Sequence, residues 1–188
     1  MKNKIRIIGG EWRSRQITFI DAPGLRPTPG RVRETLFNWL HYDIPGSRCL
    51  DLFAGSGALG FEAASRGASL VVQVEHNQEA CRQLHENCVH LGAHQIKVIN
   101  SDVFRFLAGN SEPFSVVFLD PPFAKTLAMQ TCQWLEDKNW LTKTAKIYVE
   151  TEADLVLNGL PDNWRQLKQK KAGEVGYQLF ERTSVLSI

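Results

Sequence analysis

The chain contains no run of about 18 apolar residues, so no segment reads as a membrane-spanning helix. It has no apolar leader either: Met1-Lys2-Asn3-Lys4 runs into a polar segment, and no secretory signal is read. Its four cysteines (Cys49, Cys81, Cys88, Cys132) include no C-x-x-C pair, and without a leader they are expected to stay reduced, in a cytoplasmic protein. Cys81, His85 and Cys88 share one helix face, with His90 and His94 nearby. Packing and solvated polar positions account for them, and no metal is expected. Internal repeats and low-complexity stretches are absent.

What is present is an ordinary globular composition in 188 residues. That length suits one domain with a small appendage and buries about 70% of the unfolded surface. Net charge is only +2, but it is unevenly distributed. Residues 1–33 carry eight basic groups (Lys2, Lys4, Arg6, Arg13, Arg15, Arg26, Arg31, Arg33) against Glu11 and Asp21, a balance of +6 that leaves −4 for the rest. A basic end on a mildly acidic body points to a polyanionic partner.

Within that basic end, Lys4–Ile8 and Gln16–Ile20 read as a small hairpin with Arg13 and Arg15 near its turn. A loop rich in proline and glycine covers 21–30 and holds Arg26 and Thr28. A helix is expected over Arg31–His41, with Val32, Leu36, Trp39 and Leu40 toward the core and Arg31, Arg33 and Glu34 outside that stripe or at its edge. Pro45-Gly46 closes this lead-in, so residues 1–44 are expected to form an extension and 45–188 the main domain.

From Arg48 the pattern alternates strand and helix. Strands are expected at 48–53, Leu70–Glu75, Ile96–Asn100, Val116–Asp120 and Ile147–Glu150. Helices are expected near 57–66, Asn77–Leu91, 103–108, 125–137 and 152–157. Two strands without an intervening helix, Trp164–Lys170 and Tyr177–Thr183, form a terminal hairpin. Apolar strands alternating with helices mean an α/β fold: a Rossmann-like, seven-stranded, mostly parallel sheet covered on both faces.

Cys49-Leu50-Asp51-Leu52-Phe53-Ala54-Gly55-Ser56-Gly57-Ala58-Leu59-Gly60 joins the first of these strands to its helix. Gly55, Gly57 and Gly60 have G-x-G-x-x-G spacing: two glycines for a sharp turn and close ligand approach, the third for helix–strand contact. The helix start offers unpaired N–H groups and partial positive charge. Ligands in such sheets lie beyond the carboxyl ends of the strands, where strand order reverses. The second strand ends at Glu75, a carboxylate suited to gripping two ribose hydroxyls. The third is followed by Asp102 and Val103, suited to an adenine amine and ring. The fourth ends in Asp120-Pro121-Pro122-Phe123. Two prolines stiffen that corner and remove two N–H donors. Carbonyls, a carboxylate and an aromatic face remain, which together hold a planar base by its exocyclic amine.

This layout resembles class I S-adenosylmethionine-dependent methyltransferases, and Asp120–Phe123 resembles the (Asp/Asn)-Pro-Pro-(Phe/Tyr) motif of enzymes that methylate nucleobase amines. Ile8–Arg15, Leu25–Pro29, Arg31–Leu40 and Asp51–Gly57 resemble the bacterial RsmD family, which makes N2-methylguanine in 16S ribosomal RNA of the small subunit. The resemblance implies S-adenosylmethionine as cofactor, held by Asp51, Phe53, Gly55, Gly57, Glu75, Asp102 and Val103. It implies Asp120, Pro121 and Phe123 as the catalytic corner. Arg13, Arg15, Arg26, Arg31 and Arg33 are expected on RNA phosphates, with Gly9–Arg15 and Arg26–Thr28 folding over the extruded base. The expected partner is 16S rRNA in a small subunit or its assembly intermediate, met by a monomer with no membrane contact.

Rival readings share parts of this pattern. A small NAD-binding oxidoreductase has the glycine loop and Glu75 but no need of Asp-Pro-Pro-Phe, and no Tyr-x-x-x-Lys is present. An adenine-N6 DNA methyltransferase uses the same tetrapeptide, though this length leaves little room for a DNA-recognition domain. A non-catalytic RNA-binding assembly factor would need only the basic end.

Overall fold

The strand–helix alternation from Arg48 onward closes into one sheet of seven strands in the computed structural model, which describes residues 3–21, 25, 27–122 and 125–184. The chain runs β1 (Asn3–Arg6), β2 (Gln16–Phe19), α1 (Gly30–Trp39), β3 (Arg48–Asp51), α2 (Ala58–Ser65), β4 (Leu70–Glu75), α3 (Gln78–Leu91), β5 (Ile96–Asn100), α4 (Val103–Leu107), β6 (Phe114–Leu119), α5 (Lys125–Asp137), β7 (Leu141–Glu152), β8 (Trp164–Ala172) and β9 (Val175–Arg182). The sheet order is β5-β4-β3-β6-β7-β9-β8. Its first five strands are parallel, and β9 pairs antiparallel with both β7 and β8.

Strand side chains alternate between faces, and the core divides accordingly. Cys49, Val71, Phe118 and Tyr148 pack with α1, α2, α3 and the N-terminal hairpin. Their neighbours Leu50, Val72, Val117, Leu119 and Val149 pack on the other face, with Leu107 of α4 and Cys132 and Leu135 of α5. Asn77 caps α3 by accepting from the Glu79 and Ala80 amides, and Gly92 ends it in the left-handed conformation.

The β1–β2 hairpin contributes Ile5, Ile17 and Phe19, with Ile7 and Trp12 beyond, to the first of these clusters. Polar clamps fix its position. Asn87 of α3 accepts from the Thr18 amide at 3.0 Å and donates to its carbonyl at 2.8 Å. Glu62 of α2, with 0% exposure, accepts from the amides of Ile8 (2.9 Å) and Gly9 (2.8 Å) and pairs with Arg66 (2.8 Å) and Arg33 (3.3 Å). Gly10 has φ +77°, and a Cβ there would lie 1.9 Å from the Ser65 carbonyl oxygen, so only glycine lets the turn sit on the end of α2.

Two expectations change. The residues near 152–157 form no helix. β7 runs on to Glu152, held in extended form by antiparallel pairing with β9 as far as Glu152–Val175, and the next turn is tied back by the Ala153 amide on the Glu174 carbonyl. Helix α1 stops at Trp39, whose ring stacks on Tyr177 at 5.5 Å instead of entering the core fully, while Phe37 is completely buried. Among the described residues no helix is long and apolar enough to cross a membrane.

Candidate functional site

Strand order reverses between β3 and β6, opening a crevice at their carboxyl ends. The alternation that buries Cys49, Val71, Phe118 and Tyr148 puts the residues two further along on the same face. These are Asp51, Gln73 and then Glu75, Asp120, and Glu150. Four neighbouring strands therefore end in a ridge of acidic and amide groups on one face, below the glycine loop.

The loop is built as its spacing predicts. Gly55 and Gly57 have φ of +50° and +79°, and a Cβ on Gly57 would meet Leu84 at 2.5 Å. A Cβ on Gly60 would lie 2.3 Å from the Gln73 amide nitrogen, so the third glycine lets α2 close on β4. Gly57 has no side chain with which to cap α2. The Asp51 carboxylate at the strand end lies beside the first turn of α2, where the Gly60 amide and the Gln73 side chain favour its charged form. Asp51 is 1% exposed, and its Oδ2, like the Gln73 Oε1, has no hydrogen-bond partner among the described residues. Burial pushes its pKa up to about 7, and the charges of Asp120 and Glu75 add to the shift.

Glu75 accepts from the Gly55 amide through Oε2 (2.9 Å) and from the Asn77 amide through Oε1 (2.8 Å). The carboxylate is thereby aimed across the mouth of the loop. Asp102 caps α4, its Oδ1 accepting from the Phe104 and Arg105 amides at 2.9 and 3.2 Å. Val103 is buried at the start of that helix, and Phe53 is half-buried against the opposite core cluster.

Asp120 follows the last residue of β6 and is partly exposed, and Pro121 behind it is buried. Thr28 of the lead-in loop donates from Oγ1 to Asp120 Oδ2 at 3.5 Å. Asp120 and Glu150 lie within hydrogen-bonding reach of each other. Glu150 also accepts from the Tyr148 hydroxyl at 2.6 Å. Burial moves the pKa of Asp120 up to about 6 and, with the charge of Asp120 second, that of Glu150 up to about 8. Phe123 and Arg26 lie outside the described residues.

The arginines separate into distinct groups. Arg31 is exposed on the first turn of α1. Arg33 corrects the expectation: it is 5% exposed, and its guanidinium donates to the carbonyls of Thr28 (3.2 Å) and Arg6 (3.1 Å) and pairs with Glu62. It is an interior brace, turned away from any phosphate. Arg13 and Arg15 are exposed, but at the far ends of α2 and α3, where Arg15 donates to the His90 carbonyl. The Gly9–Arg15 turn does not fold over the crevice. Its backbone is pinned to Ser65 by the Glu11 and Trp12 amides, one length of α2 (roughly 12 Å) below the glycine loop. Thr28, by contrast, does reach the site. Sequence reasoning missed Gln73, Tyr148 and Glu150. Their signal was the strand period itself, which continues the inward face into polar residues at each carboxyl end.

The chain matches, over residues 5–181, the model of a family described as Conserved hypothetical protein 95. It is 48% identical over 179 residues to Ribosomal RNA small subunit methyltransferase D of Escherichia coli K12, covering 95% of this chain and 90% of that one. It is also 48% identical over 184 residues to the protein of the same name from Haemophilus influenzae, covering 96% and 95%. Among solved structures, a putative methyltransferase, yhhF, from Escherichia coli superposes with TM-score 0.91 at 47% identity, over 97% of this chain and 99% of that one. An RNA methyltransferase from Salinibacter ruber, solved with S-adenosyl-L-homocysteine, shares the fold at TM-score 0.66 and 16% identity, over 84% of this chain and 94% of that one.

Proposed function

The chain belongs to the RsmD family, and from that premise we propose that it methylates the exocyclic N2 amine of a guanine in 16S ribosomal RNA of the small subunit, using S-adenosylmethionine. One observation carries this reading: Asp51, at the start of the glycine loop, lies opposite Phe118 in the β3–β6 pair, so the Asp120-Pro121 corner two residues on stands beside the glycine-loop crevice. Residues 45–188 form the catalytic domain in this reading, and 1–44 the RNA-facing extension.

The donor set fits the cofactor. Asp51 Oδ2 is a buried acceptor with no partner among the described residues, matched to an ammonium group. The start of α2 and the loop amides suit a carboxylate. Glu75 would hold the ribose hydroxyls, while Asp102, Val103 and Phe53 would line the adenine side. The bound cofactor supplies a methyl group made electrophilic by its sulfonium.

The chain's own residues do the rest by positioning. Guanine must leave its stack, because its N2 amine cannot be reached inside a helix. Asp120 and the Pro121 carbonyl accept from that amine and turn its lone pair toward the methyl group. Phe123 supplies a face for the base. A carboxylate beside an amine that becomes positive as it reacts stabilises that change most where water is excluded. Arg26 and Arg31 would hold RNA phosphates, and Arg13 and Arg15 would hold them at the far ends of α2 and α3, without reading sequence.

The test is to incubate the protein with labelled S-adenosylmethionine and small subunits lacking the modification, then digest the RNA. Label in N2-methylguanosine is expected. Label in N6-methyladenosine, or in no nucleoside, overturns the reading.

A further inference from the structure

We propose that Glu150 is a positioning residue of this methyl-transfer site: as the proton-bearing neighbour of Asp120, it donates to that carboxylate, holds it ionised and aimed, and lets the pair take up the proton the amine releases. The proposal rests on the function proposed above and adds to it a residue that the Asp-Pro-Pro-Phe motif does not contain.

Three geometric facts support it. First, β6 and β7 are parallel neighbours with Phe118 opposite Tyr148 and Leu119 opposite Val149, so the next rung sets Asp120 against Glu150. Second, Glu150 is 6% exposed and walled in by β9, where it pairs with the buried Tyr177. Third, the described residues that face the pair are Thr28 from the lead-in loop, Tyr148 on the same strand, Tyr177 on β9 and Asp51 beyond Asp120. None is a cation, and neither Asp120 nor Glu150 has an ion-pair partner among the described residues.

Two carboxylates side by side in such a place cannot both ionise, so one proton is shared between them. It rests on Glu150, the more enclosed of the two and the one whose pKa stands higher. The Tyr148 hydroxyl donates to Glu150 Oε1, which fixes the orientation of the group. The Thr28 hydroxyl donates to Asp120 Oδ2, and Arg33 holds Thr28 in place through its carbonyl.

The proton balance follows. The amine lone pair would form the N–C bond as the methyl group's bond to the sulfonium sulfur breaks, that electron pair leaving on sulfur, and nitrogen would become positive. One N–H bond then breaks, its electron pair returns to nitrogen, and the proton forms an O–H bond on Asp120. The pair is then neutral, and it returns that proton to water when the methylated base leaves.

Glu150→Ala and Glu150→Gln test this. Glutamine keeps an N–H donor toward Asp120 and an acceptor for Tyr148 but cannot ionise. Glu150→Ala is expected to lower kcat more than tenfold with KM for the RNA within twofold. Glu150→Gln is expected to recover kcat to within threefold of wild type at pH 7. Wild-type kcat should decline above pH about 8, where Glu150 ionises, and Glu150→Gln should show no such decline. Wild-type kcat in Glu150→Ala, or an unchanged alkaline decline in Glu150→Gln, overturns the proposal. A second readout needs no RNA. In protein labelled with 13C at glutamate carboxyls, one carbon should titrate far above the usual glutamate range and vanish in Glu150→Gln. Its absence from wild type also overturns the proposal. If wild type shows that titration but transfers no methyl to ribosomal RNA, the substrate reading fails and the carboxyl pair stands.

Discussion

Two groups of buried or half-buried acids lie on the same face of the sheet, and they are built in opposite ways. Glu62 is surrounded by donors: two backbone amides and two guanidinium groups reach it, and it ties the N-terminal hairpin, α1 and α2 together. Asp51, Asp120 and Glu150 are surrounded by one another. Their pKa values all stand high, one oxygen of Asp51 is orphaned, and among the described residues no cation pairs with any of them. A satisfied buried charge holds a fold together. An unsatisfied cluster costs stability and persists where a ligand completes it.

That contrast gives experiments in which the two groups should part. The largest effect belongs to Asp120→Ala, for which methyl transfer should fall by about a thousandfold. Cofactor binding by calorimetry should survive, and Tm should stay level or rise because the charge facing Asp51 has gone. Glu62→Ala should do the reverse. Stranding Arg33 inside costs about 3–5 kcal/mol, read as a drop in Tm of roughly 6–20 °C.

The pH dependence of stability separates them next. Asp51 and Glu150 have folded-state pKa values of about 7 and about 8, above their unfolded values near 4. Between those limits the folded chain binds more protons than the unfolded one. Their contribution is therefore complete below pH about 4 and is lost as pH rises through 7 and 8. Tm of the ligand-free protein should fall by several degrees from pH 5 to pH 8.5, and Asp51→Asn should flatten that slope. A slope that Asp51→Asn leaves unchanged would break the comparison.

The smallest effects should divide two neighbouring arginines. Arg31→Ala should leave Tm unchanged and reduce the slope of log K for RNA against log salt by about one. Arg33→Ala should lower Tm and leave that slope as it was, since its guanidinium is an internal brace.

What could be read in the sequence was local. The glycine loop, Glu75 and the Asp120-Pro121 corner each carry their chemistry within a few residues, and every strand of the sheet was placed. Glu150 went unread although it stood at the end of an expected strand, because its meaning depends on Asp120 lying on the next strand over. Arg33 was grouped with Arg31 by helical spacing, and only the docking of α2 reveals that Glu62 claims it. The helix expected near 152–157 continued a rhythm that the chain abandons there. An antiparallel partner is available to β7, and pairing with β9 keeps the backbone extended.

Because β9 is the final strand yet sits between β7 and β8, its place in the sheet has a consequence for the chain as it is made. The loop, Asp51 and Asp120 leave the ribosome well before Tyr177 does. Until that last strand slots in, the flank of Glu150 that Tyr177 covers is open. The acid ridge at the strand ends is therefore enclosed last, by the strand that also joins the antiparallel edge strand, β8, to the sheet.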